Sequence, residues 1–338
     1  MTSSILQPFV GRYADRHPRP YSLAAGMCFT LAGLFALALA PGFAPILLAV
    51  ALIGWGSSIF HPESSRVAQL ASGGRKGLAQ SIFQVGGNAG SAFGPLLAAL
   101  VVIPYGQTSI MWFAPAALLA IGILLRIGNW YKRQLNAATA APVTATAAAA
   151  ELPRRKIRRA LLILTVLVFS KYFYIACMTN YFTFFLMDKF AFSVQDAQYS
   201  LFAFLAASAA GTVIGGPLGD RIGRKYVIWG SILGAAPFAL MLPYAGSGSA
   251  VALAILVGLI ISSAFSAIVV YATDLMAVRV GMIAGLFFGL MFGLGGLGSA
   301  FFGWLADRTS IEFIFRVSAL LPLMGIITGF LPDVERKR

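Results

Sequence analysis

The sequence predicts an all-α membrane protein made of two related helical bundles. Three observations predict this class: the composition, the recurrence of apolar runs along the chain, and an internal repeat. Of the 338 residues, 59% are hydrophobic and 11% are charged, and the mean hydropathy is +0.84. A soluble domain carries about 25% charged residues, so the composition excludes a water-soluble core of this size.

Apolar runs near the roughly 20 residues that a helix needs to cross the hydrocarbon recur along the whole chain. The stretch from Ile5 to Val10 is apolar but reaches Arg12 too soon to cross a bilayer, so we interpret it as the end of a partial first helix. No basic region or cleavage site precedes it, which argues against a signal peptide. About ten full transmembrane helices follow, at residues 21–40, 43–66, 78–103, 108–127, 160–187, 197–218, 226–244, 250–273, 282–306 and 313–331.

The two halves of the chain repeat each other. The turn at residues 11–16 returns at residues 216–221, and Gly90–Phe93 returns as Gly298–Phe301 at nearly the same offset. A fixed offset of this kind indicates a duplicated unit. Duplicated bundles of membrane helices are typical of transporters that move one bundle against the other.

The repeat divides the chain into an N-terminal bundle without a first helix, a cytoplasmic linker and a C-terminal bundle (residues 1–133, 134–158 and 159–338). The 25 Lys and Arg residues outnumber the 11 Asp and Glu, and most of them lie in turns on one side of the predicted spans. By the positive-inside rule these basic loops and the C-terminus are cytoplasmic, as in a multi-pass protein of the cell inner (plasma) membrane. The basic run 154–159 either touches anionic lipid headgroups or only sets the orientation.

Charged residues within the predicted spans are the best guide to function, because an ionised side chain at that depth costs about 2.5 to 3.5 kcal/mol. Glu63 and Arg66 share one helix face and follow His61 and Pro62, whose ring removes a backbone hydrogen bond. We interpret Glu63, Arg66 and, with less weight, His61 as candidates for proton coupling. The alternative is that Glu63 and Arg66 neutralise each other and only hold the helix in place.

Lys171 lies about halfway along a long apolar helix and has no acid near it in the sequence. It shares a helix face with Tyr174, Met178 and Tyr181. We therefore expect Lys171 to line a water-filled cavity and to supply the positive charge that binds an anionic substrate. The alternative is a lysine that pairs with an acid of a neighbouring helix for packing alone.

The span from residue 78 carries two stripes. Its polar stripe includes Gln84 and Asn88, which are candidates for substrate binding, although amides in membrane helices also bridge helices without further function. Small residues let another backbone approach closely. The second stripe consists of Gly86, Gly90, Gly94 and Pro95.

Asp15 and Asp220 each end a span, where a carboxylate can bind the positive N-terminal end of another helix. We predict that Asp15 lies at the start of the helix that begins at Gly281, and Asp220 at the start of the helix at Gly77. Such a contact is worth about 0.3 to 2 kcal/mol, which suits a gate. Basic residues complete the predicted gate: Arg16, Arg221 and Arg224.

The sequence contains no G-x-x-x-x-G-K-[ST] phosphate loop, no H-E-x-x-H motif and no cysteine cluster with metal spacing. We therefore predict no enzyme activity, no cofactor and no metal. The expected partners are a small-molecule substrate, protons and the lipid bilayer, with no nucleic acid, and the expected state is a monomer.

Residues 216–225 resemble the cytoplasmic-loop signature of the major facilitator superfamily, and Gly90–Pro95 resembles the glycine-proline signature of its drug:proton antiporters. Residues 60–63, 77–81, 83–88 and 281–302 are similar to the fosmidomycin-resistance proteins. The resemblance implies the major facilitator fold of twelve helices, here N-terminally truncated. Carried over by position, it makes Asp15 and Asp220 the loop aspartates and Gly94 with Pro95 the antiporter pair.

The same resemblance implies export of a small drug-like compound, anionic if it is a phosphonate, in exchange for protons by alternating access. Two alternatives remain open at this point. One is uptake of an organic phosphate or another small anion by the same fold. The other is an inactive fragment or a membrane scaffold that lacks the first helix.

Overall fold

The computed structural model describes residues 2–140 and 153–332, and these residues form helices and short turns with no strand among them. Apolar runs become helices because only a helix satisfies its own backbone hydrogen bonds in a bilayer. The helices are α1 Thr2–Arg16, α2 Ser22–Ala38, α3 Phe43–Leu70, α4 Lys76–Leu97, α5 Ile103–Tyr105, α6 Ala114–Ala140, α7 Arg154–Phe190, α8 Val194–Ile222, α9 Arg224–Met241, α10 Ser247–Ser262, α11 Ala264–Leu275, α12 Val280–Arg308 and α13 Ile311–Ser318.

The predicted all-α membrane architecture is confirmed. In the described part of the chain, eight helical stretches are long and apolar enough to cross a bilayer: Phe43–Leu70, Gln107–Ala137, Arg154–Phe190, Val194–Ile222, Arg224–Tyr244, Ser247–Leu275, Val280–Arg308 and Ile311–Phe330. The other two predicted spans correspond to α2, of 17 residues, and to α4 with its continuation through a π-helical turn Ala98–Val102 into α5. The partial first span corresponds to α1.

Two local breaks in the helices determine the positions of polar groups that belong to the candidate site. Gly223, with φ +102°, forms the turn between α8 and α9, a backbone conformation that glycine adopts at no steric cost. This turn brings the end of α8 next to the start of α9. At Ser263 the long apolar stretch 247–275 breaks into α10 and α11, and the carbonyl oxygen of Ser262 at the end of α10 becomes available to a side chain.

The structure consists of two compact units that do not coincide with the two sequence halves. Unit 1 comprises Met1–Leu70, Gly90–Arg154 and Met276–Gly289. Unit 2 comprises Ala71–Ala89, Arg155–Leu275 and Leu290–Arg338. The start of α12 therefore belongs to unit 1, and the start of α4 belongs to unit 2. The predicted boundaries at residues 133 and 159 stay a prediction; α6 and α7 both extend into the predicted linker, of which residues 141–152 lie outside the description.

Unit 2 has a large apolar core that includes Tyr174, Met178 and Phe185 of α7. Unit 1 has a smaller apolar cluster formed by Leu23, Ala24 and Leu124. Large apolar side chains also remain on the outside, where a bilayer rather than water suits them.

Glycines allow close helix approaches in both units, and two of them lie near the starts of α12 and α4. In unit 1, a Cβ at Gly285 of α12 would collide with the backbone carbonyl of Gln7 in α1. In unit 2, a Cβ at Gly216 of α8 would collide with the backbone of Gly77 in α4. The close approach predicted at Gly86 and Gly90 is not found, because no atom among the described residues lies within 4 Å of a Cβ placed there. The α4 contact is made at Gly77, about two and a half turns before Gly86.

Candidate functional site

Unit 1 contains a buried cluster of two carboxylates and one guanidinium, which we call the Arg66 cluster: Asp15, Glu63 and Arg66. Arg66 forms an ion pair with Asp15 of α1 and lies 3.3 Å from Glu63 of α3, measured from Nη1 to Oε1. The side chains are 12% exposed for Arg66, 7% for Asp15 and 1% for Glu63. With both acids ionised, the cluster carries one negative charge more than its single cation balances.

Neutral groups complete the coordination of the cluster. Arg66 Nη1 donates to the carbonyl oxygen of Ala14 at 2.9 Å and to the hydroxyl of Tyr131 in α6 at 3.3 Å. Ser22 of α2 donates to Glu63 Oε2 at 3.2 Å. Glu63 Oε1 makes no hydrogen bond among the described residues, so its contact with Arg66 is electrostatic rather than a well-aligned hydrogen bond.

Asp15 also caps the start of α12. The backbone N–H of Gly281 donates to Asp15 Oδ1 at 2.8 Å, and the N–H of Met282 donates to Oδ2 at 2.8 Å. The first N–H groups of a helix have no partner within it and carry the positive end of the helix dipole, so a carboxylate stabilises them. The predicted place of Asp15 is confirmed.

Unit 2 repeats this cap with other residues. The N–H groups of Gly77 and Leu78 donate to the two carboxylate oxygens of Asp220 at 3.0 and 2.9 Å. The predicted place of Asp220 is therefore confirmed as well. Arg224, across the Gly223 turn, lies 3.5 Å from Asp220 and forms an ion pair with Asp274.

Lys76 closes the unit 2 network, because its Nζ lies 2.6 Å from Asp274 Oδ1. We call these four residues, Asp220, Arg224, Asp274 and Lys76, the Asp274 network. Its two acids and two bases balance each other in charge. All four side chains keep some exposure, from 14% for Arg224 to 39% for Lys76.

His61 lies in a separate group of polar side chains between α1 and α3. Its Nδ1 is 3.0 Å from the carbonyl oxygen of Ser57 and 3.2 Å from the Ser57 hydroxyl. That hydroxyl accepts from Ser3, which in turn accepts from Gln7, a fully buried residue of α1. The His61 ring packs on Phe288 with ring centres 5.3 Å apart.

Lys171 is 2% exposed and lies against the break between α10 and α11. Its Nζ is 3.5 Å from the carbonyl oxygen of Ser262, and it lies 5.4 and 5.6 Å from the ring centres of Tyr172 and Phe265. None of the ion pairs in the described ranges includes Lys171. Contacts with aromatic faces and one carbonyl stabilise a buried ammonium group far less than a carboxylate would.

The other residues of the predicted Lys171 face pack against protein. Tyr174 and Met178 are buried in the apolar core of unit 2. The hydroxyl of Tyr181 donates to the carbonyl oxygen of Ser299 at 2.7 Å. In this structure the face therefore presents Lys171 as its charged group, with its aromatic neighbours already in contact with other helices.

The polar stripe of α4 connects to α8 and α11 within unit 2. Gln84 Nε2 donates to Asn88 Oδ1 at 3.1 Å, and Asn88 donates to the hydroxyl of Thr212 at 3.4 Å. One turn before Gln84, the hydroxyl of Ser81 donates to that of Ser266 at 3.0 Å. Ser266 follows Ser262, whose carbonyl oxygen Lys171 contacts, by four residues across the break at Ser263.

Other predicted site residues stay outside these groups. Arg16 and Arg221 are exposed. Gly90 lies in α4 without a close neighbour among the described residues, and Gly94 and Pro95 belong to the stretch of α4 whose side chains are not described. Within residues 2–140 and 153–332, no group of three or more His, Cys, Asp or Glu could hold a metal ion.

The sequence reasoning missed four residues that join these networks: Ser22, Tyr131, Asp274 and Lys76. The repeat does not bring Arg66 onto Asp274, because the two cap pairs on either side of Arg66 give an offset of 204 to 205. No local pattern separates these four residues from other polar and charged residues near span ends.

Comparison with known proteins identifies a matching family and two similar relatives. The chain matches the Major Facilitator Superfamily over residues 1–187 and 173–338. It is 58% identical to the fosmidomycin resistance protein of Escherichia coli (strain K12), covering 100% of this chain and 82% of that protein. It is 42% identical to YfnC of Bacillus subtilis (strain 168), an uncharacterised MFS-type transporter, covering 100% of this chain and 83% of that protein.

Solved structures share the fold at low identity. The Escherichia coli fucose:proton symporter FucP aligns with a TM-score of 0.73 at 12% identity, covering 98% of this chain and 88% of that one. The human organic anion transporter MFSD10 aligns with a TM-score of 0.69 at 17% identity, covering 98% and 82% of the two chains. At these identities the likeness extends to the fold alone.

Proposed function

The chain belongs to the Major Facilitator Superfamily and is a multi-pass secondary transporter of a small molecule rather than an enzyme, and we propose that it exports a small anionic, drug-like compound in exchange for protons. The observation that carries the proposal is the Arg66 cluster, in which the buried Glu63 leaves one negative charge unbalanced. A proton that binds to Glu63 would neutralise this excess charge.

The substrate side of the proposal rests on Lys171. A buried ammonium group without a paired carboxylate among the described residues lacks a counter-charge, and a transported anion would supply it. The name of the relative that is 58% identical favours fosmidomycin, and so a phosphonate, as the substrate. We assign Gln84 and Asn88, with Tyr174 and Tyr181, to the surroundings of this site.

The proton side rests on Glu63, with Arg66 as its electrostatic partner and His61 as a second titratable group. Arg66 is held by Asp15, Tyr131 and the Ala14 carbonyl, so moving it to a substrate would break three contacts. Lys171 is thus the better candidate to receive the anion, and Arg66 to respond to the charge of Glu63. Substrate and proton then bind at different places and communicate through conformation.

Alternating access requires contacts that form on one side and break on the other. We assign this gating role to the Asp15 and Asp220 caps with Arg224, and to Arg16, Arg221, Gly90, Gly94 and Pro95 around them. Each cap is worth about 0.3 to 2 kcal/mol, which is small enough to be broken in each cycle. The basic run at residues 154–159 favours a cell inner (plasma) membrane location with the basic loops and the C-terminus cytoplasmic, and we propose a monomer.

Purified protein in liposomes tests the proposal with fosmidomycin as the probe. An antiporter accumulates the compound when the interior is more acidic, whereas a proton symporter accumulates it when the exterior is more acidic. We expect accumulation with an acidic interior, and its loss in Lys171→Met. Lys132→Met is the matched control, since Lys132 is exposed on α6.

Two results would overturn the proposal. Accumulation driven by an acidic exterior would favour uptake of a small anion by the same fold. Fosmidomycin movement that neither gradient drives, in vesicles where a fluorescent dye confirms that the gradient holds, would exclude proton exchange for this compound.

A further inference from the structure

We propose that the two helix caps respond differently to pH: the Asp15 cap on α12 is a proton-sensitive latch, and the Asp220 cap on α4 is not. The proposal rests on the proposed function in one respect, the choice of Glu63 as the acid that takes a proton. It goes further by stating which helix that proton controls.

The two caps have the same geometry. In each, two successive backbone N–H groups at the start of a helix donate to the two oxygens of one aspartate, at 2.8 and 2.8 Å for Asp15 and at 3.0 and 2.9 Å for Asp220. The second N–H of each pair belongs to a partly buried apolar residue, Met282 in α12 and Leu78 in α4. Any difference in behaviour must therefore come from the surroundings of the carboxylates.

Those surroundings differ in charge. Asp15 depends on one cation, Arg66, which it shares with Glu63. Asp220 belongs to the Asp274 network, in which two acids and two bases balance. The unit 2 network owes its balance to Lys76, which pairs with Asp274, whereas no second base pairs with Asp15 or Glu63 among the described residues. A buried site with an excess negative charge binds a proton more readily than a balanced and partly exposed one.

Glu63 lies close to groups from four helices. They are Arg66 of its own helix, Asp15 of α1, Ser22 of α2, and Tyr131 of α6 through Arg66. The other charged side chains at this end of α1 are exposed: Arg12, Arg16, His17 and Arg19. Arg66 is therefore the cation for which the two buried carboxylates compete.

A proton on Glu63 ends this competition. The guanidinium charge then acts on Asp15 alone, the repulsion between the two carboxylates disappears, and Asp15 is held more firmly against Gly281 and Met282. When Glu63 is ionised, Asp15 shares its cation and the cap on α12 weakens. In the network of the α4 cap, Asp274 also pairs with Lys76, so its charge is balanced without drawing Arg224 away from Asp220, and we expect this cap to keep the same strength in both states.

Cysteine labelling at matched positions measures the two caps separately. Met282→Cys and Leu78→Cys each keep the backbone N–H that donates to the aspartate. Cys28→Ser removes the exposed native thiol, and Cys177 is fully buried. The full-length protein is reconstituted in lipid nanodiscs, and a neutral maleimide is applied across a series of pH values. The ratio of the two labelling rates cancels the pH dependence of the thiol reaction itself.

We expect the Met282→Cys to Leu78→Cys ratio to rise on the order of tenfold from acidic to alkaline pH, as the α12 cap weakens. Glu63→Gln should hold the ratio at its acidic value throughout. Asp274→Asn is the matched control in the other unit, and its ratio should keep its dependence on pH. Hydrogen exchange of the amides of Gly281 and Gly77 in the unaltered protein gives the same comparison without any substitution.

The outcomes separate this inference from the proposed function. A ratio that stays constant with pH, together with equal exchange at the two helix starts, overturns the latch even if export is driven by protons. A ratio that follows pH while fosmidomycin export ignores the proton gradient keeps the latch and contradicts the proposed function. Loss of the pH response in Asp274→Asn would also overturn the assignment to unit 1.

Discussion

Replacing Arg66 by methionine should destabilise unit 1 more than replacing any exposed arginine. The substitution keeps most of the apolar stem but removes the guanidinium that Asp15, Glu63, Ala14 and Tyr131 share. Two carboxylates, 7% and 1% exposed, then remain without their cation. The substitution therefore turns a charge-compensated cluster into a buried pair of like charges.

The magnitude follows from the geometry. At 3.3 Å and an effective dielectric constant of about 20, the attraction between Arg66 and Glu63 is roughly 5 kcal/mol before the cost of desolvation is subtracted. Removing one partner of a buried pair costs about 3 to 5 kcal/mol in stability. Adding Glu63→Gln to Arg66→Met removes one of the stranded charges, so we expect the double variant to recover about 1 to 3 kcal/mol.

Thermal unfolding in detergent, followed by intrinsic fluorescence and by the monodisperse fraction on size exclusion, compares the variants. Arg126→Met is the control, because Arg126 is exposed on α6 and its loss should change stability by about 0.5 kcal/mol or less. Equal unfolding midpoints for Arg66→Met and Arg126→Met would refute the shared-cation reasoning. So would a double variant that is no more stable than Arg66→Met.

Three further outcomes are expected. Gly285→Ala should destabilise the protein by about 1 to 3 kcal/mol, because its Cβ would collide with the Gln7 carbonyl, whereas Gly86→Ala has open space and should be neutral or slightly stabilising in thermal unfolding. Lys171→Arg should keep part of the fosmidomycin accumulation that Lys171→Met loses, since the cation remains; equal loss in both would show that size rather than charge matters. Asp274→Asn should slow fosmidomycin transport similarly at every pH, and a slowing confined to one end of the pH range would contradict its assignment to a balanced network.

The architecture could be predicted from the sequence because its determinants are local or periodic. Apolar runs of about 20 residues report helices that cross a bilayer whatever surrounds them. The places of Asp15 and Asp220 also followed from the sequence, since a carboxylate at the end of one span and the start of another helix are complementary, and the repeat supplied the pairing. Glu63 and Arg66 were paired because they are three residues apart on one helix.

The rest depended on contacts between residues far apart in the chain. The ion pair between Arg66 and Asp15 joins two features that the sequence suggested separately, and no local pattern links them. The glycine stripe of α4 predicted a close backbone contact at Gly86 and Gly90, but α4 makes this contact at Gly77. The spacing of glycines alone does not say which turn of a helix meets its neighbour. Asp274 carries no local signal either, because Lys76 and Arg224, with which it forms ion pairs, lie 198 and 50 residues away in the chain.

Coupling of substrate to protons through Glu63 is the central claim, and it is tested most directly by Glu63→Gln in liposomes loaded with fosmidomycin. With a proton gradient across the membrane, net transport and exchange of labelled for unlabelled fosmidomycin are measured in the same preparation. We predict that Glu63→Gln loses gradient-driven transport but keeps exchange, because the proposed substrate site around Lys171 is intact while the acid in unit 1 can no longer change charge. Transport by Glu63→Gln at the parental rate, with the parental dependence on pH, would contradict the account and leave Glu63 and Arg66 as a structural ion pair.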